Sequence, residues 1–509
     1  MTRPTTGRYY VTTTIPYVNA RPHLGFALEL VQADVLARHR RRRGDKVRFL
    51  SGTDENSLKN VLAAEAEGVP VQALVDRNAA EFEALRGTLG LSYDDFIRTS
   101  RDPRHRVGVE RLWRQCAAAG DLYRRQYEGL YCVGCEQFCT PDELTQGRLC
   151  PEHGTEAQLV AEENWFFRLS RYAGPLRELI TSGALRIEPA SRRNEVLALI
   201  DGGLRDFSVS RSQARARGWG IPVPGDPGQV VYVWWDALGN YVTSLGYGTG
   251  DPAFAPWWAA DDGGRRVHLV GKGVLRFHAV YWPAILLSAG LPVPSDILVH
   301  DYLTVDGAKI SKSSGNAASA DPAALVEAYG TDAVRWWLLS EVPRVGDADF
   351  TVGRLTARAD ADLAGGLGNL VHRVTTLVHR LWGGRVPEGA SPHVLRGLAT
   401  VCQEVPGLVD AALEAYDFRR ATAALRTIVD EANRALDHTR PWEPARSGGA
   451  ASVLASLLAA LRVLATELHP FLPGTATRIA AACTPVDGAL PEPRHLVGRQ
   501  ATGRARDQV

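Results

Sequence analysis

Methionine occurs once in the 509 residues, at position 1, and cysteine seven times. Seven cysteines in a chain of this length exclude a disulfide scaffold. A single methionine leaves no internal thioether to oxidise. A base-composition bias that also favours Arg over Lys accounts for this more readily than selection against oxidation-prone side chains. The opening MTRPTTGRYYVTTT has no apolar signal core and enters a strand-like run within ten residues. A cytoplasmic location is therefore expected. No run approaches the ~18 apolar residues of a membrane span, so no membrane partner is expected. Charge of one sign is also lacking: 58 basic residues face 57 acidic ones, for a net charge of +1. That balance excludes charge-driven disorder and a histone-like protein. Local basic patches can still bind nucleic acid. There is no internal repeat and no long low-complexity tract. What remains is a globular composition, 45% apolar, over a length that implies about three domains.

Residues 8–14, RYYVTTT, read as a buried strand. GFALELVQADVLARHRRRR, residues 25–43, has helical periodicity, and Gly44 ends it. VRFLSGTD, residues 47–54, reads as a second strand. Strand, helix, strand in about 45 residues is a βαβ unit and predicts a parallel sheet, with ligands at the carboxyl ends of its strands. Those ends are Ile15–His23 and Gly52–Asn56. Residues 58–125 read as mostly helical. Residues 126–165 show little periodicity and look like an insertion, with helix resuming near Trp165. GWGIPVPGDPG, residues 218–228, marks a boundary before a second α/β section. From about Asp360 to Ala482 the pattern is helical throughout, which predicts a separate bundle. The Arg38–Arg48 stretch, RHRRRRGDKVR, reads as a solvated helix end more readily than as a phosphate-binding patch.

Four cysteines fall within nineteen residues. Cys132-x-x-Cys135 and Cys150-x-x-His153 have zinc-knuckle spacing, and three thiolates with one imidazole make a closed, structural zinc site. Cys139 fits neither pair. Elsewhere, Pro22-His23-Leu24-Gly25 lies between a strand and a helix, where free N–H groups suit phosphate and Gly25 permits close approach. Gly307–Asn316, GAKISKSSGN, sets Lys309 and Lys312 three apart on a loop of small residues. Two mobile cations there suit a leaving pyrophosphate.

These two motifs, nearly 290 residues apart, resemble the HIGH and KMSKS signatures of class I aminoacyl-tRNA synthetases. IPYVNARPHLG, FLSGTDE, DFIRTS, SRRNEVL, VPVPGDP, VYVWWDAL, RFHAVYWPA and AKISKSSGN narrow the resemblance to the methionyl-tRNA synthetase family, from about Tyr9 to Ala482. The resemblance implies a Rossmann catalytic domain in two halves, 1–115 and 218–300. It places a connective insertion at 116–217, with the zinc knuckle at about 130–155. A stem with the KISKS loop follows at 301–359, an α-helical anticodon-binding domain at 360–485 and a polar tail at 486–509. It implies ligation of L-methionine to tRNA(Met) by way of methionyl-adenylate, using Mg2+ with ATP and one structural Zn2+. His23, Gly25, Lys309 and Lys312 would bind ATP and catalyse. Ile15, Tyr17, Asp54, Trp234, Leu238, Tyr241, Val274 and His278 would form the amino-acid pocket, with Asp54 holding the α-ammonium. Asn369, Arg373 and Trp442 would read the anticodon. With no further tRNA-binding dimerisation domain after the bundle, a monomer is expected.

The chain departs from the family pattern at three points. Phe26 replaces the second His of HIGH. Asn56-Ser57 ends what is otherwise GTDEHG. Gly273 follows Gly271-Lys272 where an acidic residue is usual. Loss of a transition-state contact costs about 10²–10³ in rate. Two further readings follow: a paralogue on the same scaffold that activates another amino acid or serves a specialised pathway, and a non-catalytic tRNA-binding protein.

Overall fold

The computed structural model describes residues 7–498 except 135, 140–142, 147, 152, 153, 261, 262, 306, 311–317, 386–388 and 444–448. Its centre is a six-stranded, wholly parallel sheet. β1 (Arg8–Thr12), β2 (Lys46–Thr53) and β3 (Asp95–Arg98) form one half. Arg265–Gly271, Asp296–His300 and the short Arg186–Glu188 form the other. The order runs β3, β2, β1, then Arg265–Gly271, Asp296–His300 and Arg186–Glu188. Tyr9, Tyr10 and Val11 are buried, as fits a strand paired on both edges and covered on both faces. Strand order reverses at β1. The crevice beyond the carboxyl ends of β1 and Arg265–Gly271 is thus the topological switch point, where such sheets bind ligands.

α1 (Leu24–Arg43) follows β1 and is buried along most of its length. Gly44, at φ +96°, ends it in a conformation that costs glycine little. Its terminal arginines are tied down: Arg41 pairs with Asp94 at 2.7 Å and Arg40 with Asp45 at 3.6 Å. Arg48, on β2, pairs with Asp95 at 3.1 Å. The basic stretch is thus engaged within the fold. β2 and β3 approach so closely at Gly52 that a Cβ there would lie 2.2 Å from the Ile97 carbonyl oxygen.

The 58–125 section is mostly helical, as expected, with helices Leu58–Glu67, Val71–Thr88 and Pro103–Ala118; β3, too short for a periodicity signal, lies between the last two. The next section differs from its expectation. The 126–165 segment contains most of a long antiparallel ribbon, Leu122–Cys132 against Gln158–Phe167, in register from Leu122↔Phe167 to Tyr131↔Gln158. Much of this ribbon is exposed, so its residues carry little of the apolar alternation that marks a half-buried strand. Trp165 therefore lies on a strand, and α-helix resumes at Ala173. Finally, Ala450–Leu468 is, by length and composition alone, apolar enough to span a bilayer. It packs with the other C-terminal helices and is largely buried, so its hydrophobicity serves a protein core.

The chain divides into two compact units. One contains Met1–Pro22, Arg40–Arg86 and Ser92–His300; the other contains His23–His39, Gly87–Leu91 and Asp301–Val509. The first holds the six-stranded sheet and the ribbon. The second holds a three-stranded sheet, in which Ala308–Lys309 pairs with Leu303–Val305 and the latter with Ala348–Phe350. It also holds the helices Asn369–Trp382, Arg396–Glu414, Phe418–Thr439, Ala450–Leu468 and Pro473–Ala482, matching the all-helical expectation for the C-terminal section. Its buried hub is Arg335, whose guanidinium lies 2.8 Å from the equally buried Asp34 carboxylate on α1. Arg335 also donates to the carbonyls of Leu89, Pro470 and Phe471 at 3.0, 3.1 and 2.8 Å.

Candidate active site

Beyond β1 the chain runs through Ile15 to Tyr17, and beyond β2 to Asp54. The Asp54 N–H donates to the Pro16 carbonyl at 2.9 Å, and Tyr17 and Asp54 form an isolated parallel bridge. The pairing of β1 with β2 is thereby extended into the switch-point crevice, with these two side chains adjacent. Asp54 is buried and Tyr17 half-buried with its hydroxyl shielded, and neither the Asp54 Oδ1 nor the Tyr17 hydroxyl has a hydrogen-bond partner among the described residues. Burial, with the Asp236, Glu136 and Glu55 carboxylates nearby, pushes the Asp54 carboxyl well above its ordinary range.

The remaining walls are apolar. Ile15, Trp234, Leu238, Tyr241, Val274 and Phe277 pack in one cluster. Trp234 meets the edge of Tyr17 at 6.5 Å and lies face to face on Phe277 at 3.7 Å. His278 places Nδ1 2.9 Å from the Val274 carbonyl, which can only accept. Its Nε2 therefore accepts from the Tyr241 hydroxyl, 2.8 Å away. All eight residues expected in the amino-acid pocket are thus gathered in the first unit. Phe277 was missed as a wall, although it directly precedes His278 in a segment already singled out.

The loop that carries Asp54 is held on several sides. Arg98 of β3 grips the buried Glu55 through Nε at 2.6 Å and Nη2 at 3.1 Å. Asn56 donates to Asp236 at 2.7 Å, and the buried His105 bonds the other oxygen of that carboxylate. The departure at Asn56 therefore leaves a fully engaged polar group. Asn60 donates to the Asp54 carbonyl at 3.1 Å. An aromatic chamber with one carboxylate oxygen left without a partner among the described residues suits a ligand that brings an ammonium group and a flexible apolar side chain.

In the second unit, the His23 carbonyl accepts the Phe26 and Ala27 N–H groups at the start of α1. The His23 ring Nδ1 accepts the Gly25 N–H at 3.1 Å, so the neutral ring carries its proton on Nε2, a donor suited to a phosphoryl oxygen. A Cβ on Gly25 would lie 3.0 Å from that ring. Phe26 points into the interior and is only 8% exposed, so it is a packing residue. The Lys309 backbone pairs with Thr304, and Lys312 lies outside the described residues. Asn369 and Arg373 stand one turn apart on the Asn369–Trp382 helix, Asn369 exposed and Arg373 2.7 Å from Asp437. Trp442 is 37% exposed.

Cys132 and Cys150 are buried in a small cluster with Cys139, Leu144 and Ala157. Cys135 and His153 lie outside the described residues. Among the described residues no three metal-binding side chains converge. The two described thiols nevertheless fit the expected ligand set, because both are buried in this one small cluster. Gly273 sits in the short Lys272–Val274 turn at the carboxyl end of the Arg265–Gly271 strand. A cavity of about 740 Å³ in the same unit is lined by residues that include Arg125, Arg205, Arg276, Phe207 and Tyr281. There Phe207 stacks on Tyr281 at 4.0 Å.

A family model described as tRNA synthetases class I (M) matches residues 9–160 and 139–375, and one described as the anticodon binding domain of methionyl tRNA ligase matches 391–502. The methionine--tRNA ligase of Thermosynechococcus vestitus is 41% identical over 478 residues, covering 91% of this chain and 88% of its own length. That of Thermotoga maritima is 39% identical over 482 residues, covering 93% and 74%. A solved structure of Mycobacterium tuberculosis methionyl-tRNA synthetase in complex with methionyl-adenylate aligns with a TM-score of 0.90 at 37% identity, covering 97% of this chain and all of that one. The fold, the switch-point chamber and these matches place the chain among the class I aminoacyl-tRNA synthetases, as a member of the methionyl-tRNA synthetase family.

Proposed function

We infer that this chain catalyses ATP-dependent ligation of L-methionine to tRNA(Met), releasing AMP and pyrophosphate. The observation that carries the inference is the buried Asp54 carboxylate, one oxygen of it without a partner among the described residues, in an apolar chamber at the switch point, in a chain that matches the family over nine-tenths of its length. Asp54 takes the methionine ammonium. Ile15, Tyr17, Trp234, Leu238, Tyr241, Val274 and His278 surround the thioether, a polarizable group that packs well on aromatic rings.

In the first step a methionine carboxylate oxygen forms a bond to the α-phosphorus of ATP, and the bond to pyrophosphate breaks. Mg2+ enters with ATP as part of the substrate. His23 donates to a phosphoryl oxygen, Gly25 opens the helix start to the nucleotide, and Lys309 and Lys312 neutralise the leaving pyrophosphate. In the second step a ribose hydroxyl of the terminal adenosine of tRNA attacks the methionyl carbonyl, and AMP leaves. No covalent enzyme intermediate is required. The cavity with its arginines and its Phe207–Tyr281 stack has the chemistry to receive a single-stranded nucleotide end. Asn369, Arg373 and Trp442 read the anticodon.

Cys132, Cys135, Cys150 and His153 would hold one zinc ion, which would supply a structural cross-link of the knuckle. The segment bounds 1–115, 116–217, 218–300, 301–359, 360–485 and 486–509 remain our division of the chain by function, and a monomer our expected state. Light scattering tests that state.

The deciding experiment is ATP–pyrophosphate exchange by the purified protein with and without methionine, followed by charging of tRNA(Met). Methionine-dependent exchange is the expected result. Exchange with another amino acid alone would overturn the substrate. Binding of tRNA with no exchange for any amino acid would overturn the enzyme reading.

A further inference from the structure

Glu136 is a buried carboxylate that the reaction above does not use. It follows Cys135 on the turn between the two cysteine pairs, with its backbone at φ +53°. Only a few per cent of non-glycine residues adopt that conformation. Its Oε1 accepts the backbone N–H of Lys59, 77 residues earlier in the chain, at 3.1 Å. Lys59 is the second residue of the helix Leu58–Glu67, which begins at the Ser57 cap. First-turn N–H groups have no partner within their own helix. Ser57 accepts that of Asn60 and Glu136 that of Lys59, and a carboxylate is the favoured charge at this end of a helix.

The same turn of helix touches the chamber twice. Asn60 donates to the Asp54 carbonyl at 3.1 Å, and the Lys59 ammonium lies 4.7 Å from the centre of the Tyr17 ring. A continuous path therefore runs from the cysteine-bearing turn through Glu136 and the helix start to Asp54 and Tyr17.

We propose that Glu136 is a positioning residue for the amino-acid site: by capping the Leu58–Glu67 helix from the insertion, it fixes the two side chains that meet the substrate's ammonium end. This rests on the methionine-binding reading given above. The test compares Glu136→Ala and Glu136→Gln with wild type. It reads the KM values for methionine and for ATP in pyrophosphate exchange, and methionine binding by tryptophan fluorescence. Glu136→Ala is expected to weaken methionine binding and raise its KM about fivefold to tenfold, the size of one lost helix cap, with the ATP KM unchanged. Glu136→Gln keeps a carbonyl acceptor for the Lys59 N–H and should return the methionine constants to within about twofold of wild type.

Equal rises for methionine and ATP, or wild-type constants in the Ala variant, would overturn the proposal. So would a Gln variant as impaired as the Ala variant. If the Ala variant does not fold, Lys59→Pro removes the donor in place of the acceptor, with Lys59→Ala, which keeps the N–H, as its reference. A methionine KM no higher in the Pro variant than in its reference would also overturn the proposal. A wild type that neither binds methionine nor exchanges would sink the functional reading itself. A wild type that does both, beside indistinguishable variants, sinks only the role of Glu136.

Discussion

Asp54 has no hydrogen-bond partner for Oδ1 and sits beside Asp236 and Glu136, which raise its pKa further once burial has done so. In the ligand-free chamber it therefore holds its proton at pH values where an exposed aspartate has lost it. An incoming ammonium restores the carboxylate and releases that proton. Methionine affinity should rise with pH, by up to about tenfold per unit, until the Asp54 pKa is passed. Calorimetry in buffers of different ionisation enthalpy will register the released proton. The sign for folding is opposite. A carboxyl with a raised folded-state pKa stabilises the ligand-free protein in acid, and that contribution is lost as pH rises through the folded pKa. Asp54→Asn removes the charge partner and should weaken methionine binding about 10–100-fold, read by the same titration. Gly25→Ala would press a methyl against the His23 ring and should slow exchange by about tenfold or more with little change in Tm. The eight residues expected to form the amino-acid site were legible only through the family motifs that carry them. Phe277 and Glu136 were not, since one acts through a ring stack and the other through a contact 77 residues away.

At the level of elements, periodicity served where burial is one-sided and long. β1, α1 and β2 fall within two residues of their expected bounds, and the C-terminal section is helical as read. It failed for the four-residue β3 and for the ribbon Leu122–Cys132 with Gln158–Phe167, whose exposed arginines, glutamates and glutamines carry no strand signal. Two substitutions probe how the elements are locked. Gly52→Ala would set a Cβ against the Ile97 carbonyl. It should destabilise by about 1–3 kcal/mol, as overpacking does, measured by urea unfolding. Arg335→Met leaves the buried Asp34 with Arg38 alone and takes this donor from the Leu89, Pro470 and Phe471 carbonyls. A buried acceptor that loses its donor costs about 1–3 kcal/mol, and the same unfolding curves will show it.

For the whole molecule, two activities separate cleanly. On the proposed function, pyrophosphate exchange draws on the chamber and the lysine-bearing loop, and charging draws also on the residues assigned to the anticodon. Trp442→Ala should leave methionine-dependent exchange at its wild-type rate. It should weaken tRNA charging by about 10–100-fold, the scale of one lost base stack. A fall in exchange of the same size would mean that Trp442 serves the fold. The helical nature of the last third was plain from its pattern, but its union with part of α1 was not. Nothing local marks Asp34 as belonging with residues 301–509.

That long-range pairing has a consequence for how the protein is made. Asp34 leaves the ribosome about 300 residues before Arg335 and more than 430 before Phe471, whose carbonyl completes the hub. At about 5–20 residues per second, synthesis of the intervening chain takes roughly 20–90 seconds. Through that interval Asp34 has Arg38 beside it but not Arg335, and the late half of the hub is still unmade. The second unit cannot close until translation is nearly over.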